Sequence, residues 1–333
     1  MKFIDFFAGI GGFHSGLEKA GMKCIGWCEY DKKARRSYKA MYDTKGLWTA
    51  DDVRLVRGWN LPGADLWSFG FPCQDVSIAG RQRGMERGTR SGLFFEIMRL
   101  LDEREENKPK WLLIENVKNL LSNRGGGHTF FEVLYALAER GYSIEWNLYN
   151  SKNYGVPQNR ERVYIVCYLG DTGGRKILPI PRTCSTNLQQ VGNLVQSDSF
   201  GGNPQRGRVY ATSGVAPTLT AHEGGGHEPK ILIPYKIESW KQRGYIYDPD
   251  GIVGTITAND SKGPKLISEQ GEELKVRKLT PRECWRLQEF TDEQFDKAAK
   301  VNSATQLYRQ AGNAVTVNVV HEIGEAIVQF ERQ

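Results

Sequence analysis

A chain of 333 residues with a formal charge of +6 can bury a sizeable core, as one large domain or as a large domain with a small one. Two domains is the expectation, and the mild basic excess admits a polyanionic partner such as nucleic acid without requiring one. Six cysteines are too few for a disulfide scaffold at this length. Cys24 and Cys28 lack a second close pair to complete a tetrahedral zinc site, so they read as reduced core thiols, with no metal. No stretch reaches the roughly 18 apolar residues of a membrane span, and no basic region precedes a long apolar run at the start. The expected location is therefore cytoplasmic.

In chain order, residues 2–7, 24–28, 65–69, 111–114 and 162–168 read as short apolar strands. Between them, stretches such as residues 92–101 repeat apolar side chains at helical spacing. The alternation predicts an α/β fold with a doubly wound, mostly parallel sheet. Ligands of such sheets bind outside the carboxyl ends of the strands, so the residues just after each strand are where chemistry is sought. From about residue 170 to 276 the texture changes to Gly, Pro, Thr and Ser with short β-rich stretches. Inside it, residues 205–221 recur at an offset of 37, and residues 229–232 are answered by 264–267, which suggests paired β-hairpin units in one small domain. Residues 306–330 return to a helical rhythm that could pack on the first domain. The predicted division is 1–175 for the first domain, completed by 305–333, then 176–290 for the second, with 291–304 as the connection back.

Several segments could carry chemistry. The first strand runs into Phe7, Ala8, Gly9, Ile10, Gly11 and Gly12, where glycines permit a tight turn and a close approach to a ligand at a helix N-terminus. A dinucleotide fingerprint would want a third glycine where His14 stands, which argues against a nicotinamide enzyme. Glu29, twenty residues beyond Gly9, ends the second strand and could accept hydrogen bonds from ribose hydroxyls. After the third strand, Phe71, Pro72, Cys73 and Gln74 put a thiol in a proline-shaped loop at the sheet edge, where a thiolate can act as a nucleophile. Residues 80–90 follow with four arginines, Arg81 and Arg83 among them, against one glutamate, in a glycine-rich loop that could close over a phosphate backbone. A buried structural cysteine and a solvated charged loop would use the same residues. Glu115, at the end of another apolar strand, could hold a proton and donate it, and Asn116 could instead open a helix as its cap. Arg160 and Arg162 would share one face of a strand that begins near residue 160, where two guanidinium groups can meet an oxygen-rich ligand or local carboxylates.

In combination and order these segments resemble the bacterial DNA cytosine-5 methyltransferases of the type II restriction-modification kind. The likeness spans nearly the whole chain. It extends to residues 277–284 (Arg-Lys-Leu-Thr-Pro-Arg-Glu-Cys) and to Gly312, Asn313, Ala314 and Val315. The resemblance implies a Rossmann-like S-adenosylmethionine-dependent methyltransferase sheet with a second, smaller β-rich target recognition domain. It implies S-adenosyl-L-methionine as cofactor: Phe7 stacking on the adenine, Glu29 holding the ribose, Asp52 and Val53 at the adenine edge, Asn313 and Val315 closing the pocket, and Gly9, Ile10, Gly11, Gly12, Tyr30, Pro72 and Leu93 completing it. Cys73 would attack C6 of cytosine, Glu115 would hold N3, and Arg162 would bind the base oxygen with Arg160 assisting. Because the target carbon is inaccessible in a stacked duplex, the base would be flipped out. Double-stranded DNA would be met by Arg81, Arg83, Gln205, Arg208 and Thr218, with Gln242 and Thr255 as the second copy of the repeat. Ala79 departs from relatives that carry serine there, which removes one hydroxyl contact. A monomer is expected, with no membrane association and with a separately acting restriction endonuclease as a potential companion. The competing readings are a cytosine-5 methyltransferase of transfer RNA and a non-catalytic DNA-binding regulator.

Overall fold

The computed structural model describes residues 1–72, 92–122, 129–183, 190–194, 208–211, 216–219, 230–235, 246–247, 266–267 and 273–333. The first half lays down β1 (Lys2–Phe6), α1 (Gly12–Lys19), β2 (Lys23–Cys28), α2 (Lys32–Met41), β3 (Trp48–Ala50), β4 (Leu66–Phe69), α3 (Leu93–Asp102), β5 (Trp111–Val117), α4 (Thr129–Ala138), β6 (Tyr142–Asn150), β7 (Gln158–Asn159) and β8 (Glu161–Leu169). Seven of the strands form one sheet in the order β3-β2-β1-β4-β5-β8-β6. The first five are parallel, and β8 and β6 join antiparallel at the far side. The expected strands are all present, and β5 and β8 run longer than their apolar runs suggested.

Both faces of the sheet are covered, which explains why its central strands read as unbroken apolar runs. Side chains alternate across the pleat. Ile4, Phe6, Leu112, Ile114, Val163 and Ile165 pack with α3 and α4 on one face, while Phe3, Trp111, Leu113, Tyr164 and Val166 pack with α1 and the last helix on the other. Each such side chain, fully buried, contributes about 1.5–3 kcal/mol.

The second half holds β9 (Gln190–Asn193), β10 (Arg208–Ala211), β11 (Ala216–Pro217), β12 (Lys230–Tyr235), β13 (Ile246–Tyr247), β14 (Leu266–Ile267) and β15 (Glu273–Lys278), then α5 (Pro281–Arg286), α6 (Asp292–Ala299), α7 (Ala304–Asn313) and α8 (Val317–Arg332). A second sheet has the order β15-β12-β10-β9. The 37-residue repeat surfaces here in a form that differs from the expected hairpins. The first copy pairs β10 with β12 in parallel, Tyr210 against Ile231, and the second pairs β13 with β14 in parallel, Tyr247 against Ile267. Tyr247 answers Tyr210, whereas Ile267 answers Leu232, so the second copy is one residue out of register with the first. Parallel partners need a connection longer than a hairpin turn, and the 18 residues between Ala211 and Lys230 provide one.

The chain remains on the first sheet beyond the expected division at residue 175. Ile177, Leu178 and Ile180 join the cluster under Tyr149 and Tyr164, and the Thr183 amide donates to the Asn153 carbonyl at 3.0 Å. It returns earlier than residue 305, because Leu279, Trp285, Phe290 and Phe295 share one cluster with Ile10, Ala34 and Met41. The span expected as a plain connection therefore carries α6, packed against α2. Capping boxes start α5 at Thr280 with Glu283 and α6 at Thr291 with Gln294. Among the described residues no helix is long and apolar enough to cross a membrane.

The last helix reaches the sheet through small residues. A Cβ on Gly16 of α1 would lie 2.6 Å from Val320 Cβ of α8, and one on Gly324 would lie 2.9 Å from Ala20 Cβ. The helix backbones approach closely only because both positions are glycine. Gly16→Ala is expected to cost a net ~1–2 kcal/mol, as overpacking outweighs the ~1 kcal/mol gained in helix propensity. An unchanged urea midpoint would refute this close packing.

Candidate active site at the carboxyl edge of the sheet

The chain leaves β1 through Phe7, whose φ of 52° lies in the left-handed region that a bulky residue rarely adopts. Such a conformation persists only where surrounding contacts enforce it. Gly9 follows at φ 56° and Gly11 at φ 82°, with Gly11 as the N-cap of α1. At Gly9 nothing lies within 4 Å of where a Cβ would sit, so this backbone faces open space. Gly12 is the opposite case: a Cβ there would be 2.5 Å from the Val315 carbonyl oxygen. The turn between α7 and α8 thus rests directly on the glycine turn through Val315.

Glu29 ends β2 beside this turn. Its Oε2 accepts from the Gly9 amide at 2.8 Å and its Oε1 from the Asp31 amide at 2.6 Å. Burial raises its pKa, and the two amide bonds work against that. Each carboxylate oxygen keeps a second lone pair, so a ribose hydroxyl can still be accepted. Asp31 caps α2, and Arg35 holds the carbonyls of Glu29 and Tyr30, each at 3.0 Å. At the next strand end, Asp52 caps the short turn Val53–Leu55 and binds the Arg54 guanidinium, which holds its carboxyl below the usual range. Val53 is buried, Tyr30 is largely exposed with Arg54 5.8 Å over its ring, and Ile10 points into the core. Leu93 opens α3 partly buried against Phe71 and Phe94, and Pro72 is half-buried. Asn313, at the end of α7, is exposed.

The glycine turn is held by residues that sequence patterning did not single out. The Tyr42 hydroxyl, from the end of α2, lies 2.8 Å from the Gly11 carbonyl and 3.2 Å from that of Ile10. Ser15 and Gln294 of α6 meet the same hydroxyl. His14, which breaks the dinucleotide fingerprint, stacks on Tyr42 at 3.9 Å between ring centroids, and its Nδ1 is 2.6 Å from the Tyr38 hydroxyl. It is a buried strut of this network. The only signal in the sequence was that a glycine was missing.

One strand over, Glu115 on β5 forms an ion pair with Arg162 on β8, Oε1 to Nε 3.0 Å, with both side chains largely but not wholly covered. A Cβ on Gly70 would sit 3.2 Å from Glu115 Oε2, which places the carboxylate above the end of β4. Asn116 caps no helix: its side chain donates to the Phe71 carbonyl at 3.2 Å. The root of the segment leading to Cys73 is therefore tied to the strand that carries Glu115. Cys73 lies outside the described residues, as do Ala79, Arg81, Arg83, Gln205, Gln242 and Thr255. Among the described cysteines, Cys24, Cys28, Cys167 and Cys284 are buried and form no disulfide. Burial pushes the thiols of Cys24 and Cys28 up to about 12, with Asp5 adding to the first and Glu29 to the second. Neither is a thiolate at neutral pH, so neither competes as a nucleophile.

Arg160 and Arg162 separate where the sequence expected a shared face. The strand starts at Glu161, and Arg160, just before it, turns its guanidinium to the carbonyls of Gly312, Ala314 and Leu219 at 3.2, 2.7 and 3.5 Å. Of the expected DNA-contacting residues that are described, Arg208 begins β10, and Thr218 donates its hydroxyl to the Asn159 carbonyl at 2.5 Å.

Against known proteins, the model of the C-5 cytosine-specific DNA methylase family matches residues 1–329. The chain is 31% identical to the type II methyltransferase M.HhaI of Haemophilus parahaemolyticus, over 97% of this chain and 93% of that one. It is 29% identical to the orphan methyltransferase M.SPBetaI of Bacillus phage SPbeta, over 98% and 97%. Among solved structures, the Entamoeba histolytica methyltransferase EhMeth superposes with a TM-score of 0.68 at 16% identity, covering 100% of this chain and 99% of the other.

Beneath the glycine turn lies Asp5, fully buried on β1. One oxygen accepts from Ser68 Oγ at 3.1 Å and the other has no partner. Burial holds its pKa well above the ordinary range, the Ser68 bond opposes this, and the nearby Glu29 adds to it. The folded state thus binds a proton that the unfolded chain releases at about pH 4, and stability falls as pH rises from there towards the folded pKa. Asp5→Asn is expected to remove that slope. Relative to wild type its stability in urea unfolding should rise as pH is raised above about 4. Parallel pH profiles would show Asp5 to be ionised in the fold.

Proposed function

We propose that this chain, which belongs to the C-5 cytosine-specific DNA methylase family, moves the methyl group of S-adenosylmethionine to C5 of a cytosine flipped out of a short, specific duplex sequence, through a covalent bond from Cys73 to C6. The observation that carries this reading is the Glu115–Arg162 ion pair at the carboxyl edge of the sheet, joined through Asn116 to the root of the Cys73 segment.

The residues at the first three strand ends fit the methyl donor. Gly9 leaves its backbone open to solvent where a side chain would intrude, Glu29 keeps two free lone pairs, and Phe7 is held partly exposed in a strained conformation. Glu29 would take the ribose hydroxyls, Phe7 and Val53 would flank the adenine, and Asn313 and Val315 would close the far side. The donor supplies an electrophilic methyl group on a sulfonium, and the protein's own side chains must create the nucleophile that receives it. Cytosine C5 is too weak for that alone. When the Cys73 thiolate bonds to C6, the C5–C6 double bond opens and electron density collects on C5 and, through the ring, at N3. Glu115 holds a proton at N3, and Arg162 binds the base oxygen, so the charge that develops is met by groups already in place. C5 then takes the methyl group and loses its proton, and the electron pair left behind re-forms the double bond as the sulfur leaves C6.

The recognition unit, on this reading, lies between residues 184 and 278, and the catalytic unit comprises 1–183 with 279–333. Arg208, together with Arg81, Arg83, Gln205, Gln242 and Thr255, would face DNA, whereas the Thr218 hydroxyl is taken up by the Asn159 carbonyl. In the type II setting the companion would be a restriction endonuclease of the same target sequence.

A duplex with 5-fluorocytosine at the target position tests the covalent step, because fluorine cannot leave as a proton does. The wild type with donor should form a denaturant-resistant adduct whose modified peptide contains Cys73. Cys73→Ala should form none, and Glu115→Gln should form it about 100-fold more slowly. Methyl transfer without an adduct, or an adduct on another residue, would contradict the mechanism.

A further inference from the structure

Arg160 is 2% exposed, and its guanidinium reaches two segments that are far from it in sequence, Leu219 and the 312–314 turn. Nη2 donates to the Ala314 carbonyl, Nη1 to that of Gly312, and Nη1 also points at that of Leu219. A buried guanidinium is costly unless its donors are paired, and here main-chain carbonyls take Nη1 and Nη2 while Nε has no partner. Burial, with the nearby Arg162 cation, lowers its pKa to about 9, which leaves it charged at neutral pH. Below it runs a second buried chain of hydrogen bonds: Gln158 to Gln288 at 3.1 Å, Gln288 to Thr316 at 3.0 Å, and Thr316 to Ser151 at 2.8 Å. Ser151 in turn donates its amide to the Arg160 carbonyl at 3.0 Å.

Both segments matter for function. Gly312 and Ala314 flank Asn313 and lead into Val315, whose carbonyl rests on Gly12 of the glycine turn. Leu219 ends the segment that anchors the recognition unit. There β11 pairs with β7, the Thr218 hydroxyl holds the Asn159 carbonyl, and the Leu219 side chain is buried with Ile10, Ala311 and Ala314. We propose that Arg160 is a positioning residue of the methyl-donor pocket, fixing the 312–315 turn against both the glycine turn and the recognition segment at Leu219, and that it makes no contact with the target base. The proposal rests on the donor pocket assigned above.

The two roles predict opposite kinetic signatures. A base contact would leave donor affinity in the absence of DNA untouched and would lower kcat. A positioning role acts on the free protein, because the guanidinium bonds exist there. The test is calorimetric binding of S-adenosylhomocysteine to the full-length wild type, Arg160→Met and Arg160→Lys without DNA. It is paired with kcat and KM for S-adenosylmethionine on a methylatable duplex and with thermal melting of each variant. Arg160→Met is expected to bind the analogue about tenfold more weakly and to raise KM similarly, with kcat at saturating donor within about threefold of wild type. Arg160→Lys, which keeps the charge but cannot span three carbonyls, should fall between. Should Arg160→Met not fold, Arg160→Lys carries the measurement. Wild-type analogue affinity with a reduced kcat in the variants would overturn the proposal. Failure of the wild type itself to bind the analogue would overturn the donor pocket, and this inference with it.

Discussion

The turn that follows β1 is where the molecule's constraints meet. Gly12 has no side chain, so the Val315 carbonyl can sit where a Cβ would be. That approach allows the last helix to lie along α1, and Gly16 and Gly324 continue the same close fit along the two helices. The C-terminal segment thereby packs on the first sheet and on the glycine turn at its carboxyl edge. The opposite side of the turn stays open at Gly9. A single stretch of backbone is therefore packed on one side and left open on the other, which small residues alone allow.

Two polar sites lie side by side along this edge and solve the cost of buried charge differently. Under the glycine turn, Asp5 has one oxygen without a partner, and burial raises its pKa well above the usual carboxylate range. Glu29, just above, takes two main-chain amides and keeps lone pairs for a ligand. Between β5 and β8, Glu115 instead has a cation, Arg162, within 3.0 Å. The first arrangement suits hydrogen bonding to hydroxyls. The second suits a heterocycle that gains negative charge while its proton is held, since donors already in place need no reorganisation as the charge develops.

Much of this was legible before the fold. Strands β1, β4, β5 and β8 announced themselves because both sheet faces are covered, and Glu29 and Glu115 stand where an α/β sheet places its chemistry. Strand β3 was not legible, being three residues long, and neither was β6, whose polar and aromatic mixture reflects its place at the edge. The parting of Arg160 from Arg162 could not be read either. The carbonyls that Arg160 binds are 59, 152 and 154 residues away, and a period-two pattern carries no information about them. Tyr42 is likewise invisible until α2 is folded against the glycine turn, some 30 residues back. Pairing direction in the repeat was misjudged for a similar reason: similarity between copies shows that a unit recurs, and leaves open how its strands meet.

The central claim is that Cys73 attacks a cytosine in DNA so that its C5 can be methylated. The most direct measurement is base-resolution cytosine methylation sequencing of DNA from a methylation-deficient host expressing the wild-type chain or Cys73→Ala. The account predicts one short sequence motif methylated at C5 with the wild type and none with the variant. Unmodified DNA from cells that hold folded, donor-binding wild-type protein would contradict it and redirect attention to transfer RNA. The same methylated motif with Cys73→Ala would remove Cys73 from the reaction.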